Sequence, residues 1–190
     1  MVRVNEERGD EMRNWKKAAL ALATFLLATT SWAWDLDEVE EYDAKAQEAI
    51  AVFKEKDPSI EKFFTKAAAY VVIPTVGKGG FGIGGARGKG LLYENGAPTA
   101  FVTLTQLTVG FQAGGQAYSE FIFFEDAVAL ADFTRGNYEL GAQASAVAVT
   151  AGASADANYN GGVAIFTQAK GGLMYEASVG GQKFKVELKE

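Results

Sequence analysis

Glycine spacing is the feature of this sequence that most constrains its fold. Nine residues between positions 77 and 96 are glycine, and glycine pairs recur at 161–162, 171–172 and 180–181. Short apolar runs lie between these glycines. Because glycine destabilises helices but permits tight turns and close backbone approach, the pattern predicts many short strands.

The predicted strands follow one another closely from residue 69 onward. The Asn95-Gly96 pair fits a two-residue hairpin of type I′, which requires positive φ at both positions. Such connections favour antiparallel neighbours, so we expect a curved antiparallel β-sheet that is barrel-like or forms a sandwich. The strand predictions cover residues 69–73, 80–86, 90–93, 99–107, 109–113, 117–124, 140–153, 163–168, 173–177 and 183–188.

Three helices complete an α+β fold class. Apolar residues recur with helical spacing over residues 42–53. Asp57-Pro58 reads as an N-cap followed by proline at the first helical position, which predicts a second N-terminal helix. Asp126 is the candidate N-cap of a third, inserted helix that ends at Gly136. We expect the two N-terminal helices to cover an open side of the sheet.

The amino terminus has the order of a secretory signal peptide. A basic patch ending at Lys17 precedes an apolar run over residues 18–28, and the small residues Ser31 and Ala33 occupy the −3 and −1 positions of a cleavage site. An apolar run of this length is too short to cross roughly 30 Å of hydrocarbon as a helix. The sequence therefore predicts export to the periplasm or cell envelope.

This signal sets the expected domain boundaries. We expect residues 1–33 to be removed before Trp34, with Met12 as a second candidate initiator. An uncleaved membrane anchor is the alternative. Residues 34–56 then form an acidic leader and an amphipathic helix, and residues 57–190 form the main domain.

The charge distribution argues against binding of nucleic acid. Residues 34–190 contain 13 basic and 20 acidic residues, a net charge of −7, which disfavours attraction to phosphate backbones. Six of the acids lie between Asp35 and Asp43, where no basic residue occurs. This acidic leader lacks the spacing and the glycine of a calcium loop, so we interpret it as a solvated tail.

The chain contains no histidine and no cysteine. This composition excludes ordinary hydrolase triads, thiolate chemistry and disulfide bonds, and it removes the commonest zinc ligands. Glu120, Glu125 and Asp126 are candidates for a carboxylate acid–base pair, but the last two are better explained as first-turn residues of the inserted helix. We therefore expect no enzymatic activity, no metal and no cofactor.

The glycine-rich segment satisfies the GxGxxG spacing of dinucleotide-binding sites. It leads into a predicted hairpin, so the helix N-terminus that holds a pyrophosphate is missing. Two interpretations remain. The glycines serve a tightly bent strand pair, or they form a basic loop in which Lys78, Arg87 and Lys89 surround backbone N–H groups that bind an anion.

Three ordered stretches of the chain resemble the SYLF domain family. They are AYVVIP with GGFGIGG at 69–74 and 79–85, VGFQAGGQ at 109–116, and KGGLMY at 170–175. The resemblance covers roughly residues 50–187. Members of this family bind lipids, and some eukaryotic members also regulate actin. The resemblance implies a non-catalytic module for acidic phospholipids, similar to exported bacterial members.

By position, the resemblance implies that basic and apolar side chains in two segments contact lipid. These candidates are Lys62, Lys66, Lys78, Phe81, Arg87 and Lys89. We expect the partner to be membrane phospholipid with anionic head groups, bound through the glycine-rich basic loop. The alternative is a carrier or scaffold that holds a hydrophobic ligand or an envelope protein in or on the β-sheet.

Overall fold

The computed structural model describes residues 35–81, 83–109, 114–136, 138–171 and 179–189 of the 190-residue chain. The predicted signal peptide and the predicted strand at 173–177 lie outside these residues, as does all but Val109 of the strand predicted at 109–113. Within the described ranges, no helix is both long enough and apolar enough to cross a membrane.

The described residues form three α-helices and one eight-stranded sheet, which confirms the α+β class. The sheet curls strongly into a half-barrel with the strand order β5-β8-β3-β2-β1-β4-β7-β6. Its neighbours are antiparallel except for β6 and β7, which are parallel. The helices are α1 (Leu36–Lys56), α2 (Glu61–Lys66) and α3 (Ala127–Thr134). The strands are β1 (Ala69–Phe81), β2 (Ile83–Glu94), β3 (Ala97–Val109), β4 (Gly114–Phe124), β5 (Tyr138–Glu139), β6 (Val147–Ala148), β7 (Val163–Ala169) and β8 (Lys183–Leu188).

Glycine permits the close contact between β1 and β2 at the centre of the sheet. A Cβ atom placed on Gly80 would lie 2.2 Å from the Cα of Gly84, and one placed on Gly90 would lie 2.0 Å from the carbonyl oxygen of Val72. No real side chain tolerates such distances. The interpretation of the glycine-rich segment as a tightly bent strand pair is therefore confirmed.

The predicted turn and helix caps are also confirmed. Asn95 and Gly96 have φ values of 52° and 79°, as a type I′ hairpin turn requires. Asp57 caps a 3₁₀ turn that leads into α2, and Asp126 accepts hydrogen bonds from the first backbone N–H groups of α3. The interpretation of the acidic leader as a solvated tail is wrong, because Asp35 is the N-cap of α1 and the following acids occupy its first turns.

Aromatic side chains join the outer face of the sheet to α1 and α2. The ring centroid of Phe53 on α1 lies 4.6 Å from that of Phe121 on β4. Phe63 on α2 lies 4.9 Å from Phe166 on β7 by the same measure. Rings at these separations bury large apolar areas and add a geometric preference. The two N-terminal helices therefore cover one face of the sheet, as the sequence predicts.

The inner face of the curled sheet holds a second apolar layer. Phe133 of α3 closes part of it, with its ring centroid 4.8 Å from Phe124 and 5.3 Å from Phe184. Valine, isoleucine and leucine side chains from β1, β2, β3, β4 and β7 pack around these rings. The sheet is thus buried on both faces over much of its area.

The sequence predicts one strand over residues 140–153, but within this segment the structure has a strand only at β6. The prediction is therefore wrong for the rest of the segment. The backbone there closes local turns, with hydrogen bonds from Ala144 N–H to the carbonyl of Gly141 (2.8 Å) and from Ala153 N–H to that of Thr150 (3.0 Å). Alternating alanines imitate a strand pattern, but small side chains bury little area and do not fix a register.

The buried carboxylate of Asp57 holds this turn-rich segment against the start of α2. It accepts hydrogen bonds from Ser154 N–H and Ser154 Oγ, both at 2.7 Å, and from Ser59 N–H at 3.2 Å. The Ser59 hydroxyl also donates to it. Burial acts to raise the pKa of Asp57, but these hydrogen bonds outweigh it and hold the pKa below its ordinary value.

We predict that Asp57→Asn lowers the free energy of unfolding by about 2–3 kcal/mol, because it weakens several charge-assisted hydrogen bonds inside the protein. Urea denaturation at neutral pH measures this loss. Asp156→Asn, an exposed aspartate in the same segment, is the control and should change stability by no more than about 0.5 kcal/mol. Equal stability of the two variants would contradict the anchoring role.

Candidate functional site

The three cations of the glycine-rich segment lie on two faces of the sheet. Lys78 pairs with Ala86, which belongs to the inner core, whereas Arg87 pairs with Gly77 on the next register position. Since side chains alternate between faces along a strand, Arg87 and Lys89 lie on the outer face and Lys78 lies on the inner face. The predicted basic loop is therefore a β-hairpin with divided charges.

Two large apolar side chains are exposed at the same end of the sheet. Ile83 begins β2 and is 70% exposed, and Leu107 near the end of β3 is 85% exposed. Leu107 pairs with Gly85, two residues from both Ile83 and Arg87. All three side chains therefore share the outer face. Sequence reasoning missed the two apolar residues, although an isolated isoleucine among glycines is a usable signal.

We call Lys78, Ile83, Arg87 and Leu107 the hairpin end. The sequence contains no acid in residues 70–93 or 95–119, which span most of β1, β2 and β3 and the first half of β4. Within the described residues, neither Lys78 nor Arg87 forms an ion pair. The hairpin end thus combines exposed apolar surface with two cations and no neutralising carboxylate of its own strands.

Lys89 is held by α1 and does not belong to the hairpin end. Its Nζ lies 2.5 Å from Glu38 Oε1 and 4.1 Å from the ring centroid of Phe101. The sequence predicts that Lys89 lies in a loop, whereas the structure places it in β2. The backbone of β2 pairs with β1 on one side and with β3 on the other, so its N–H groups form hydrogen bonds within the sheet.

The remaining candidates lie elsewhere or outside the description. Lys62 on α2 donates from Nζ to the carbonyl oxygen of Ala155 at 2.6 Å, which ties α2 to the turn-rich segment. Lys66 ends α2 and is exposed. The side chain of Phe81 lies outside the described residues. The structure therefore does not bring the predicted lipid contacts into one cluster.

A separate polar cluster lies inside the half-barrel around Glu120. This side chain is wholly buried, and its Oε2 accepts a hydrogen bond from Gln182 Nε2 at 2.9 Å. Its other oxygen, Oε1, has no hydrogen-bond partner, and neither does Oγ1 of Thr167, the residue directly opposite on β7. Glu125 and Asp126 are exposed, so the structure gives no carboxylate pair.

Burial decides the protonation of Glu120. It raises the pKa to about 7, although hydrogen bonds with Gln182 and Tyr118 act in the opposite direction. A neutral carboxyl group also gains a donor, whereas a carboxylate leaves an unpaired charge in the core. The folded protein therefore holds a proton here that the unfolded chain releases near the ordinary value of 4.5.

We predict that wild-type stability falls as pH rises from about 5 to 8, by on the order of 3 kcal/mol. The direction follows because the folded state binds the proton more tightly than the unfolded state. The chain has no histidine to titrate in this window. Urea denaturation at several pH values should show this slope in the wild type and a flatter profile in Glu120→Gln.

Glu125→Gln removes an exposed neighbouring carboxyl and serves as the control, with a slope like that of the wild type. An unchanged slope in Glu120→Gln would show that another group causes the dependence.

Comparison with known proteins finds a family that is similar to the carboxyl-terminal part of the chain. Residues 105–190 match the family model of Ysc84, described as Las17-binding protein actin regulator. The matched segment, which is less than half of the chain, is similar to the Ysc84 family. The match begins in β3 and includes β4, α3 and β5–β8. It confirms the resemblance to the SYLF domain family, a family of binding domains that is associated with lipid or actin.

A curated relative is similar to part of the chain. Beta cell expansion factor A from Aeromonas veronii is 32% identical over 74 residues, which cover 39% of this chain and 28% of that protein. The chain thus matches less than a third of the length of this relative.

Proposed function

We propose that the protein is an exported, non-catalytic module that binds anionic phospholipid surfaces through the hairpin end. The observation that carries this proposal is the exposure of Ile83 and Leu107 on the same face as Arg87, on strands with few acids. Apolar side chains beside cations suit the boundary between acyl chains and anionic head groups. The similarity of residues 105–190 to the Ysc84 family, which is associated with lipid or actin binding, supports the same class of function.

Apolar burial contributes more to this binding than charge does. Burying an isoleucine or leucine side chain is worth about 1.5–3 kcal/mol each. A lysine or arginine near an anionic surface adds about 1 kcal/mol. The two apolar residues therefore supply the larger part, and the two cations supply the preference for anionic lipid. Salt should weaken the binding without abolishing it.

Strand pairing allows the hairpin end to enter the lipid interface without leaving many backbone N–H and C=O groups unpaired. Backbone groups that leave water need hydrogen-bond partners within the protein. β1 lies between β2 and β4, and β2 lies between β1 and β3, with pairing that reaches Gly80↔Gly114 and Ile83↔Val109. The central strands at this end therefore expose side chains and few free backbone groups.

The proposed location rests on the signal peptide that the sequence predicts at the amino terminus. Export would expose the hairpin end to the lipid surfaces of the cell envelope, with the mature chain beginning near Trp34. Two acids of α1 are paired with lysines, Glu38 with Lys89 and Glu41 with Lys45, which reduces the repulsion between α1 and an anionic surface.

We predict that Ile83→Ser/Leu107→Ser lowers the affinity for anionic vesicles at least tenfold, because it removes most of the apolar contribution. Lys78→Ser/Arg87→Ser should lower the affinity about tenfold at low salt and less at high salt. Co-sedimentation with phosphatidylglycerol-containing and neutral vesicles measures both effects. Circular dichroism confirms that the variants fold.

The matched control is Lys183→Ser/Lys185→Ser, which removes the same charge from exposed positions on β8. We expect this variant to pellet like the wild type. Equal loss in the control and in Lys78→Ser/Arg87→Ser would contradict a localised site, and salt-independent binding of neutral lipid would favour a hydrophobic carrier.

A further inference from the structure

A groove lies between α1 and an irregularity in β1. Pro74 has no N–H to donate to a ladder, and the register of β1 shifts between Val72 and Thr75 against β2 and between Ile73 and Val76 against β4. The resulting space has a volume of about 500 Å³, which is in the range of small-molecule sites. Its walls come from α1, the Pro74 bulge, β4 and the end of β7.

Three lysines line this groove together with one carboxylate. They are Lys45 and Lys56 from α1 and Lys170 just after β7, and the carboxylate is Glu48. Lys45 is also paired with Glu41 at 2.5 Å. Lys170 donates from Nζ to Thr75 Oγ1 at 2.9 Å. Within the described residues Lys56 forms no ion pair, so the lining has an excess of positive charge.

The floor of the groove is polar and buried. Ser119 is 2% exposed and donates to the carbonyl oxygen of Pro74 at 2.8 Å. Gln168 is 4% exposed, and its Oε1 has no hydrogen-bond partner. A buried amide oxygen without a donor is uncommon in folded proteins.

The groove extends along α1 toward Lys89. A smaller space of about 160 Å³ shares Lys45, Pro74 and Thr75 with the first and adds Tyr42 and Lys89. A fourth ammonium group therefore lies along the same path, although Glu38 neutralises it.

We propose that this groove binds a small phosphate monoester of a hydroxylated molecule. Lysine ammonium groups bind phosphate as mobile point charges, and a doubly charged phosphate outcompetes the single Glu48 for them. The amide side chain of Gln168, which lines the groove, meets the hydroxyl groups of the ligand. Ala49, Val52 and Ala169 provide an apolar wall for its carbon atoms.

This site is separate from the hairpin end. The six residue-to-residue steps of extended strand from Thr75 to Phe81 span roughly 20 Å, whereas an interfacial element enters lipid by about 5–10 Å. A groove at that distance is reached by a soluble phosphate ester. A lipid head group with the same chemistry would reach it only in a different orientation of the protein.

The test is isothermal titration of the full chain at low salt with inorganic phosphate and with glycerol 3-phosphate. We expect glycerol 3-phosphate to bind more tightly than inorganic phosphate, and Lys56→Ser/Lys170→Ser to lower its affinity at least tenfold. The control Lys183→Ser/Lys185→Ser should bind like the wild type. Thermal unfolding monitored by circular dichroism confirms that both variants fold.

Vesicle pelleting separates the two sources of the phosphate group. Unchanged pelleting of Lys56→Ser/Lys170→Ser on phosphatidic acid vesicles, with lost binding of glycerol 3-phosphate, supports a soluble ligand. Loss of both supports the same chemistry presented by a head group. The proposal is overturned if the wild type binds neither soluble probe at millimolar concentration, or if the control variant loses as much affinity as Lys56→Ser/Lys170→Ser. Neither result would contradict the proposed function of the hairpin end.

Discussion

The close approach of β1 and β2 is the constraint on which the rest of the structure depends. Gly80 and Gly90 allow backbone contacts that any side chain would prevent. β1 therefore lies at the centre of the sheet, with β2 and β4 on its two sides and the aromatic layer of α1 and α2 on its outer face. The same pairing continues to the end of the hairpin, where it presents Ile83 and Leu107 to solvent.

Acidic and basic residues are concentrated in different parts of the molecule, which the net charge alone does not show. The acids of the leader begin α1, where they stabilise its first turn and neutralise Lys89. The strands at the hairpin end carry cations with no acid beside them in sequence. An acidic chain can therefore present a local surface that suits anionic lipid, and screening by salt limits repulsion from α1 over longer distances.

Local patterns predicted local structure well, and they predicted the site less well. The Asn95-Gly96 turn and the caps at Asp57 and Asp126 follow from single residues whose conformations are restricted. The segment at 140–153 could not be predicted, because its alanines suit a strand and a turn equally and Asp57 decides between them from a distance. The division of Lys78 from Arg87 depends on the register of the β1–β2 hairpin, in which Arg87 lies opposite Gly77 and Lys78 lies opposite Ala86, and sequence spacing does not reveal that register.

Residue-specific labelling at the hairpin end tests the central claim most directly. The chain has no cysteine, so Ile83→Cys, Leu107→Cys and Val128→Cys each carry one environment-sensitive fluorophore. Val128 on α3 is 69% exposed and is matched to Ile83 at 70%. With phosphatidylglycerol vesicles, the account predicts a blue-shifted, brighter signal at positions 83 and 107 and no change at 128. Vesicle binding with unchanged signals at 83 and 107, or a larger change at 128, would contradict it.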